Sequence, residues 1–128
     1  MKTSTEQLLM KIYGGRADVH RDLYQLSNQH RRKHGRDCDL YPSDPLQAPL
    51  WTVVASLTRA RRMLEVGCGH GYTAAVMASA AAPDCHVDTI EENPQHAALA
   101  EQAFQQRGLS RRINVLRGKG QNILPRLK

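Results

Sequence analysis

The sequence predicts an α/β fold built on parallel strands, and three observations carry that prediction. The apolar segment Arg62–Val66 runs into a glycine-rich turn and then an alanine-rich helical stretch, Tyr72–Ala82. A second apolar run, Cys85–Ile90, follows Pro83-Asp84 and leads through Asn93-Pro94 into another helical stretch that stops at Gly108. A third run, Ile113–Leu116, precedes a short final helix over Asn122–Leu127. Strands separated by helix-length crossovers read as β-α-β-α-β, with parallel pairing and right-handed connections.

The N-terminal part reads as helical. Ser4 and Gln7 have the spacing of a capping box, which predicts a helix from there to Ile12 that Gly14-Gly15 ends. Residues 16–34 place Val19, Leu23 and Leu26 at helical spacing with Tyr24 beside them, and Gly35 is a stop. Leu40–Pro49 is rich in Pro and Asp and reads as a linker. Asp44-Pro45 suits the start of a helix through Ala60, with Leu46, Leu50, Val53, Val54 and Leu57 on its apolar face. Trp51 is expected to pack against the sheet edge. The chain thus divides into an N-terminal helical segment, 1–40, and an α/β part, 41–128.

The chemistry is written in Leu64–Ala75, LEVGCGHGYTAA. Glu65, Gly67, Gly69 and Gly71 spell E-x-G-x-G-x-G at a strand-to-helix turn. A dinucleotide fingerprint, G-x-G-x-x-G, would need its third glycine at position 72, which is Tyr here. The acid two residues before the first glycine suits a ligand with a cationic end better than a pyrophosphate. S-adenosylmethionine has an ammonium, a sulfonium and one carboxylate. The glycines leave room for it against the backbone. The helix start near Gly71 offers free N–H groups to its carboxylate. Glu91 ends the second strand and, as a carboxylate, could accept hydrogen bonds from both ribose hydroxyls.

The segments RRMLEVGCGHGYTAAVMA, HVDTIEENPQHAALAEQAFQQRGLSRRINVLRG and GQNILPRL resemble the N-terminal half of a class I S-adenosylmethionine-dependent methyltransferase. The pattern is similar to the small-molecule O-methyltransferase group related to the caffeoyl-CoA and catechol enzymes. The resemblance implies a Rossmann-like sheet, here truncated to three parallel strands with preceding N-terminal helices. It implies that the glycine motif packs against the methionine part of the cofactor and that Glu91 holds the ribose. The family often has an acid near the adenine in a G-D-A motif after the third strand. This chain has Gly118-Lys119-Gly120 there, and a lysine cannot accept from the adenine amino group. The expected cofactor-binding residues are Glu65, Gly67, Cys68, Gly69, Gly71, Tyr72, Glu91 and Lys119.

The resemblance also implies function. It points to S-adenosylmethionine-dependent methyl transfer, with oxygen of a small-molecule acceptor as the favoured target. The segment that would carry the acceptor pocket and its metal-binding acid in that family lies beyond strand three. The expectation is therefore an isolated chain without turnover, with no general base, metal ligand or other catalytic residue to name. Strand one would then be a sheet edge, open to self-association or a partner chain. A non-catalytic cofactor-binding or regulatory fragment is one alternative, and an RNA-modifying methyltransferase is another.

Composition bounds these readings. At 128 residues the chain is one domain at most. It has one Phe, one Trp and four Tyr, so the core must be mostly aliphatic and alanine-rich. No apolar run of the roughly 18 residues needed to cross a membrane exists, and no signal-peptide block opens the chain, so a cytoplasmic location is expected. Cys38, Cys68 and Cys85 form no C-x-x-C pair, which argues against a disulfide framework or zinc ribbon. The net charge of +6 peaks at His30-Arg31-Arg32-Lys33-His34 with Arg36. We read this cluster as a solvated helix end rather than an RNA surface, because no aromatic platform is interleaved in the sequence. His30, His34 and Cys38 are spaced four apart, but Gly35 should break the helix between them, so no metal site is expected.

Overall fold

A computed structural model describes Ser4, Gln7 and residues 19–127 of the chain. It contains a three-stranded parallel sheet of order β1-β2-β3, with β1 at Arg62–Val66, β2 at His86–Glu91 and β3 at Ile113–Arg117. The helices are α1 (Arg21–His34), α2 (Ala48–Thr58), α3 (Tyr72–Ala80), α4 (Pro94–Gln106) and the short α5 (Gly120–Ile123). Single 3-10 turns follow α1 at Gly35–Asp37 and α5 at Leu124–Arg126. The α/β alternation is as the sequence predicts, and each strand boundary falls within a residue or so of its expected place.

Register explains how the sheet is used. Met63 pairs with Val87 and Glu65 with Thr89, while Val87 pairs with Ile113 and Thr89 with Val115. Side chains alternate along a strand, so these residues share one face of the sheet. Val87 and Ile113 lie in the core there with Phe104 of α4 and Ala74, Ala75 and Ala78 of α3, and Met63 and Val115 pack against it. The opposite face presents Leu64 and Val66 of edge strand β1, which are 47% and 60% exposed. The core is alanine-rich as expected, with Phe104 its largest fully buried side chain.

The helix starts follow local chemistry. Asn93 Oδ1 accepts from the N–H groups of Gln95 and His96, and Pro94 takes the first turn of α4. Gly35 at φ 62° ends α1. Ser4 and Gln7 exchange hydrogen bonds at 3.1 and 3.2 Å, as a capping box requires. The rest of that expected helix, and the Gly14-Gly15 break, lie outside the described residues.

Two amphipathic readings are corrected. In α1 only Leu23 of the three expected apolar positions is buried; Val19 and Leu26 face outward. The inward row is Leu23–Ser27, one turn apart, with the Ser27 hydroxyl donating to the Leu23 carbonyl at 2.8 Å. Leu23 joins the same core as the α/β part. The second correction concerns α2, which begins at Ala48 rather than at Asp44-Pro45. Asp44 instead closes a turn, accepting the Leu46 N–H on its side chain and the Gln47 N–H on its carbonyl, each at 2.8 Å. The face of α2 is also reversed. Ala48 and Ala55 point inward, and Leu50, Val53, Val54 and Leu57 are exposed. Small residues allow α2 to approach α3 closely, where the Ser56 hydroxyl reaches the Ala80 carbonyl at 3.2 Å. That close contact turns the larger aliphatics outward.

Gly71 illustrates how tightly the turn is packed. It sits at φ 87°, and a methyl group there would lie 2.4 Å from Phe104 Cζ. Gly67, at φ 90°, has nothing within 4 Å of that position. Gly71→Ala should therefore combine left-handed strain with overpacking and lose at least about 2 kcal/mol. Gly67→Ala should lose only about 1–2 kcal/mol, from strain alone. Urea unfolding of the two variants checks the ranking; equal losses would mean that Phe104 does not hold its place against the turn.

Candidate functional site

The turn after β1 and the tip of β2 are tied together by backbone and carboxylate hydrogen bonds. The Gly67 N–H donates to the Ile90 carbonyl at 2.8 Å, continuing the β1–β2 pairing into the turn. The Glu91 carboxylate accepts from the Gly69 N–H on one oxygen and the Asn93 N–H on the other, both at 2.9 Å. The Gly118 N–H reaches the Glu91 carbonyl at 2.9 Å. Glu91 is thus fixed at the C-terminal end of the sheet, where ligands of open α/β folds bind.

An open cleft of about 480 Å³ lies over this end. Seven of the eight residues expected at the cofactor are near it. Glu65, Gly67, Cys68, Gly69, Tyr72 and Glu91 line the cleft, and Gly71 caps α3 behind it. Lys119 is exposed and lines neither this cleft nor the adjoining groove beside Glu91, where Gly118 and Gly120 stand instead. The glycines divide their duties. Gly67 leaves open space toward the cleft, whereas Gly69 makes way for Leu40 and Gly71 for Phe104.

The fold adds residues that the sequence did not single out. Asp39 and the first residues of the stretch read as a linker, Leu40–Ser43, form one wall of the cleft. Leu40 is fully buried over Gly69, and the Thr73 hydroxyl of α3 donates to Ser43 Oγ at 2.9 Å. Leu40 was the available signal, an isolated Leu in a polar stretch. Trp51 packs against the core and also lines the cleft, where Leu64, Glu65 and Val66 of edge strand β1 stand too. Its indole Nε1 is buried with no hydrogen-bond partner among the described residues. His70 and His96 complete the wall.

The electrostatics distinguish Glu65. It is half-buried, and the Thr89 hydroxyl donates to it. Burial raises its pKa from 4.5 to about 7; the Thr89 hydrogen bond opposes the shift, and the nearby Glu91 carboxylate adds a smaller push upward. A carboxyl in this position gains from a cation placed in the cleft. Burial pushes the Cys68 thiol far above its ordinary range, so it acts as a small apolar wall and not a nucleophile. Burial also holds the His70 imidazole down, to about 4, with repulsion from His30 and His96 adding to it.

Glu65 makes stability depend on pH. Its folded pKa is raised, so the native state holds the proton more tightly than the unfolded chain. The stabilisation is fully present below pH 4.5 and is lost as pH rises through about 7. After allowance for partial exposure the change should be roughly 2 kcal/mol. Chemical denaturation from pH 4 to 8 should show this decline in the ligand-free chain, and Glu65→Gln should flatten it. An equal slope in the variant would place the titrating group elsewhere.

Comparison with known proteins bears on this geometry. Catechol O-methyltransferase of Sus scrofa is 42% identical over 66 residues, covering 52% of this chain and 36% of the relative. Catechol O-methyltransferase of Niastella koreensis is 34% identical over 83 residues, covering 65% and 38%. The chain therefore spans well under half the length of these curated relatives. Among solved structures, the O-methyltransferase TomG from Streptomyces achromogenes, in complex with SAM, superimposes with a TM-score of 0.73 at 28% identity over 88% of this chain and 48% of that one. The O-methyltransferase from Bacillus cereus, in complex with SAH, shares the fold at a TM-score of 0.79 and 19% identity, over 97% and 54%. Residues 17–128 match the family model described as O-methyltransferase, and with the fold and the glycine turn already in place we conclude that this chain belongs to the O-methyltransferase family.

Proposed function

We propose that the chain binds S-adenosylmethionine across the tips of β1 and β2 and supplies the cofactor half of a methyl transfer to an oxygen acceptor. The observation that carries this reading is the pair of carboxylates at the strand tips. Glu65 faces the cleft with a raised pKa, which suits the cationic methionine end. Glu91, fixed by the Gly69 and Asn93 amides, keeps further lone pairs for ribose hydroxyls. Gly67 leaves the backbone open between them. When bound, this cofactor presents an electrophilic methyl on sulfur. The residues here position it, and positioning is the main source of rate in an in-line transfer.

The relatives named for catechol support an aromatic hydroxyl as the acceptor. Three free, buried cysteines support a reducing, cytoplasmic setting, and no helix among the described residues is long and apolar enough to cross a membrane. Calorimetry should show S-adenosylmethionine and its demethylated product binding in preference to NAD. Affinity should rise with pH up to about 7, as the Glu65 proton is displaced. Glu91→Ala should cost about 1–3 kcal/mol of binding. Preference for NAD would reverse the assignment, and an unchanged affinity in the Glu91 variant would remove the ribose from that carboxylate.

A second reading rests on the uncovered apolar surface. Leu64 and Val66 at the β1 edge, and Leu50, Val53, Val54 and Leu57 on α2, favour a chain that works with another strand or subunit laid beside β1. Light scattering of the 128-residue chain should show self-association, and an assay with labelled cofactor and catechols should show no turnover. A stable, active monomer would defeat this reading. The basic end of α1 offers weaker support for an RNA acceptor. Arg31 stacks 4.0 Å over the Tyr41 ring, an aromatic partner that the sequence order conceals.

A further inference from the structure

Three imidazoles and a thiol converge beside the cleft, from segments far apart in sequence. His30 belongs to α1, Cys38 follows the 3-10 turn, His70 lies in the glycine turn and His96 is in the first turn of α4. The donor atoms of His30, Cys38 and His96 all lie within 4.8 Å of one another. Cys38 Sγ is 3.8 Å from His96 Nε2. The ring of His30 is centred 5.0 Å from His70 and 5.1 Å from His96, and His70 is 6.3 Å from His96. Cys38, His70 and His96 are buried.

These distances suit a tetrahedral ion. Metal–nitrogen bonds of about 2.0 Å and a metal–sulfur bond of about 2.3 Å put neighbouring donors roughly 3.3–3.6 Å apart. Adding the imidazole radius puts ring centres about 5 Å apart around one ion. The observed cluster is slightly wider than this and closes by side-chain rotation. Two further observations point to a ligand. His70 Nε2 is buried with no hydrogen-bond partner among the described residues, a costly state for a polar atom in a packed wall. His96 also turns its other nitrogen, Nδ1, toward Glu91 Oε1 at 3.9 Å. A carboxylate behind a ligating histidine orients the ring and raises its basicity.

We propose that His30, Cys38, His70 and His96 form a metal site for a borderline-soft divalent ion of the zinc class. One thiolate and three imidazoles select such an ion over magnesium or calcium, which take oxygen ligands. Gly35 does end α1, as the sequence indicates, but the chain turns back through Gly35–Asp37 and returns Cys38 to the helix face that carries His30. The ion would join α1, the cleft wall and α4, with Glu91 as its outer partner.

Cobalt(II) titration of the reduced 128-residue chain tests this. We expect one equivalent to give a thiolate-to-cobalt charge-transfer band and the intense visible bands of tetrahedral cobalt, both abolished by zinc. Cys38→Ser should remove the charge-transfer band, and His30→Ala, His70→Ala and His96→Gln should each weaken affinity at least tenfold. Cys68→Ser and Cys85→Ser should keep both bands, and circular dichroism should show every variant folded. No cobalt–thiolate band in the folded wild type, or a band that survives Cys38→Ser, would overturn the site. Zinc should also raise the melting temperature of the wild type, and an equal rise in Cys38→Ala would overturn it independently.

Discussion

Glu91 is the joint on which the ligand end of this sheet depends. It closes β2, and its two carboxylate oxygens accept the amides of Gly69 and Asn93. One residue thereby fixes the glycine turn after β1, the end of its own strand and the start of α4. Its backbone carbonyl also receives the Gly118 N–H, which anchors the exit of β3. Charge-assisted hydrogen bonds to backbone amides are directional and stronger than neutral ones, so the geometry is set before any ligand arrives. Preorganisation of this sort lowers the cost of binding.

The cleft above that joint combines a fixed carboxylate with a tunable one. Glu65 is placed by β1 on the helix-covered face, where register brings it beside Thr89. Burial there makes its charge expensive, and a cation in the cleft relieves the expense. The same glycine motif that opens space for a ligand at Gly67 spends its other glycines on packing against Leu40 and Phe104. The motif is therefore as much a structural seam between α3, α4 and the returning chain as it is a binding loop.

The histidines form the other organised feature of the cleft wall. His96 stands between them and Glu91, with its Nδ1 3.9 Å from the carboxylate that orders the glycine turn. This places α1 in a position to influence the cofactor end of the sheet. The outward aliphatics of α2 lie elsewhere, whereas Leu64 and Val66 of β1 also border the cleft.

The sequence by itself determined the alternation of parallel strands with helices and the place of the glycine turn. Runs such as Arg62–Val66 and Ile113–Leu116, each with a Gly just after it, carry local signals of element type, and a βαβ crossover has one favoured hand. Glu65, Gly67 and Glu91 were legible because strand ends and turns are contiguous in the chain. The inward faces of α1 and α2 were decided only by tertiary structure. Leu26, Val53 and Leu57 satisfy helical spacing, but α2 meets α3 through Ala48 and Ala55, and close packing outweighs side-chain size. The place of Trp51 in the cleft wall, and the meeting of Cys38 with His96, were likewise invisible. Cys38 and His96 are 58 residues apart, and only packing of α1 and α4 around the glycine turn brings them together.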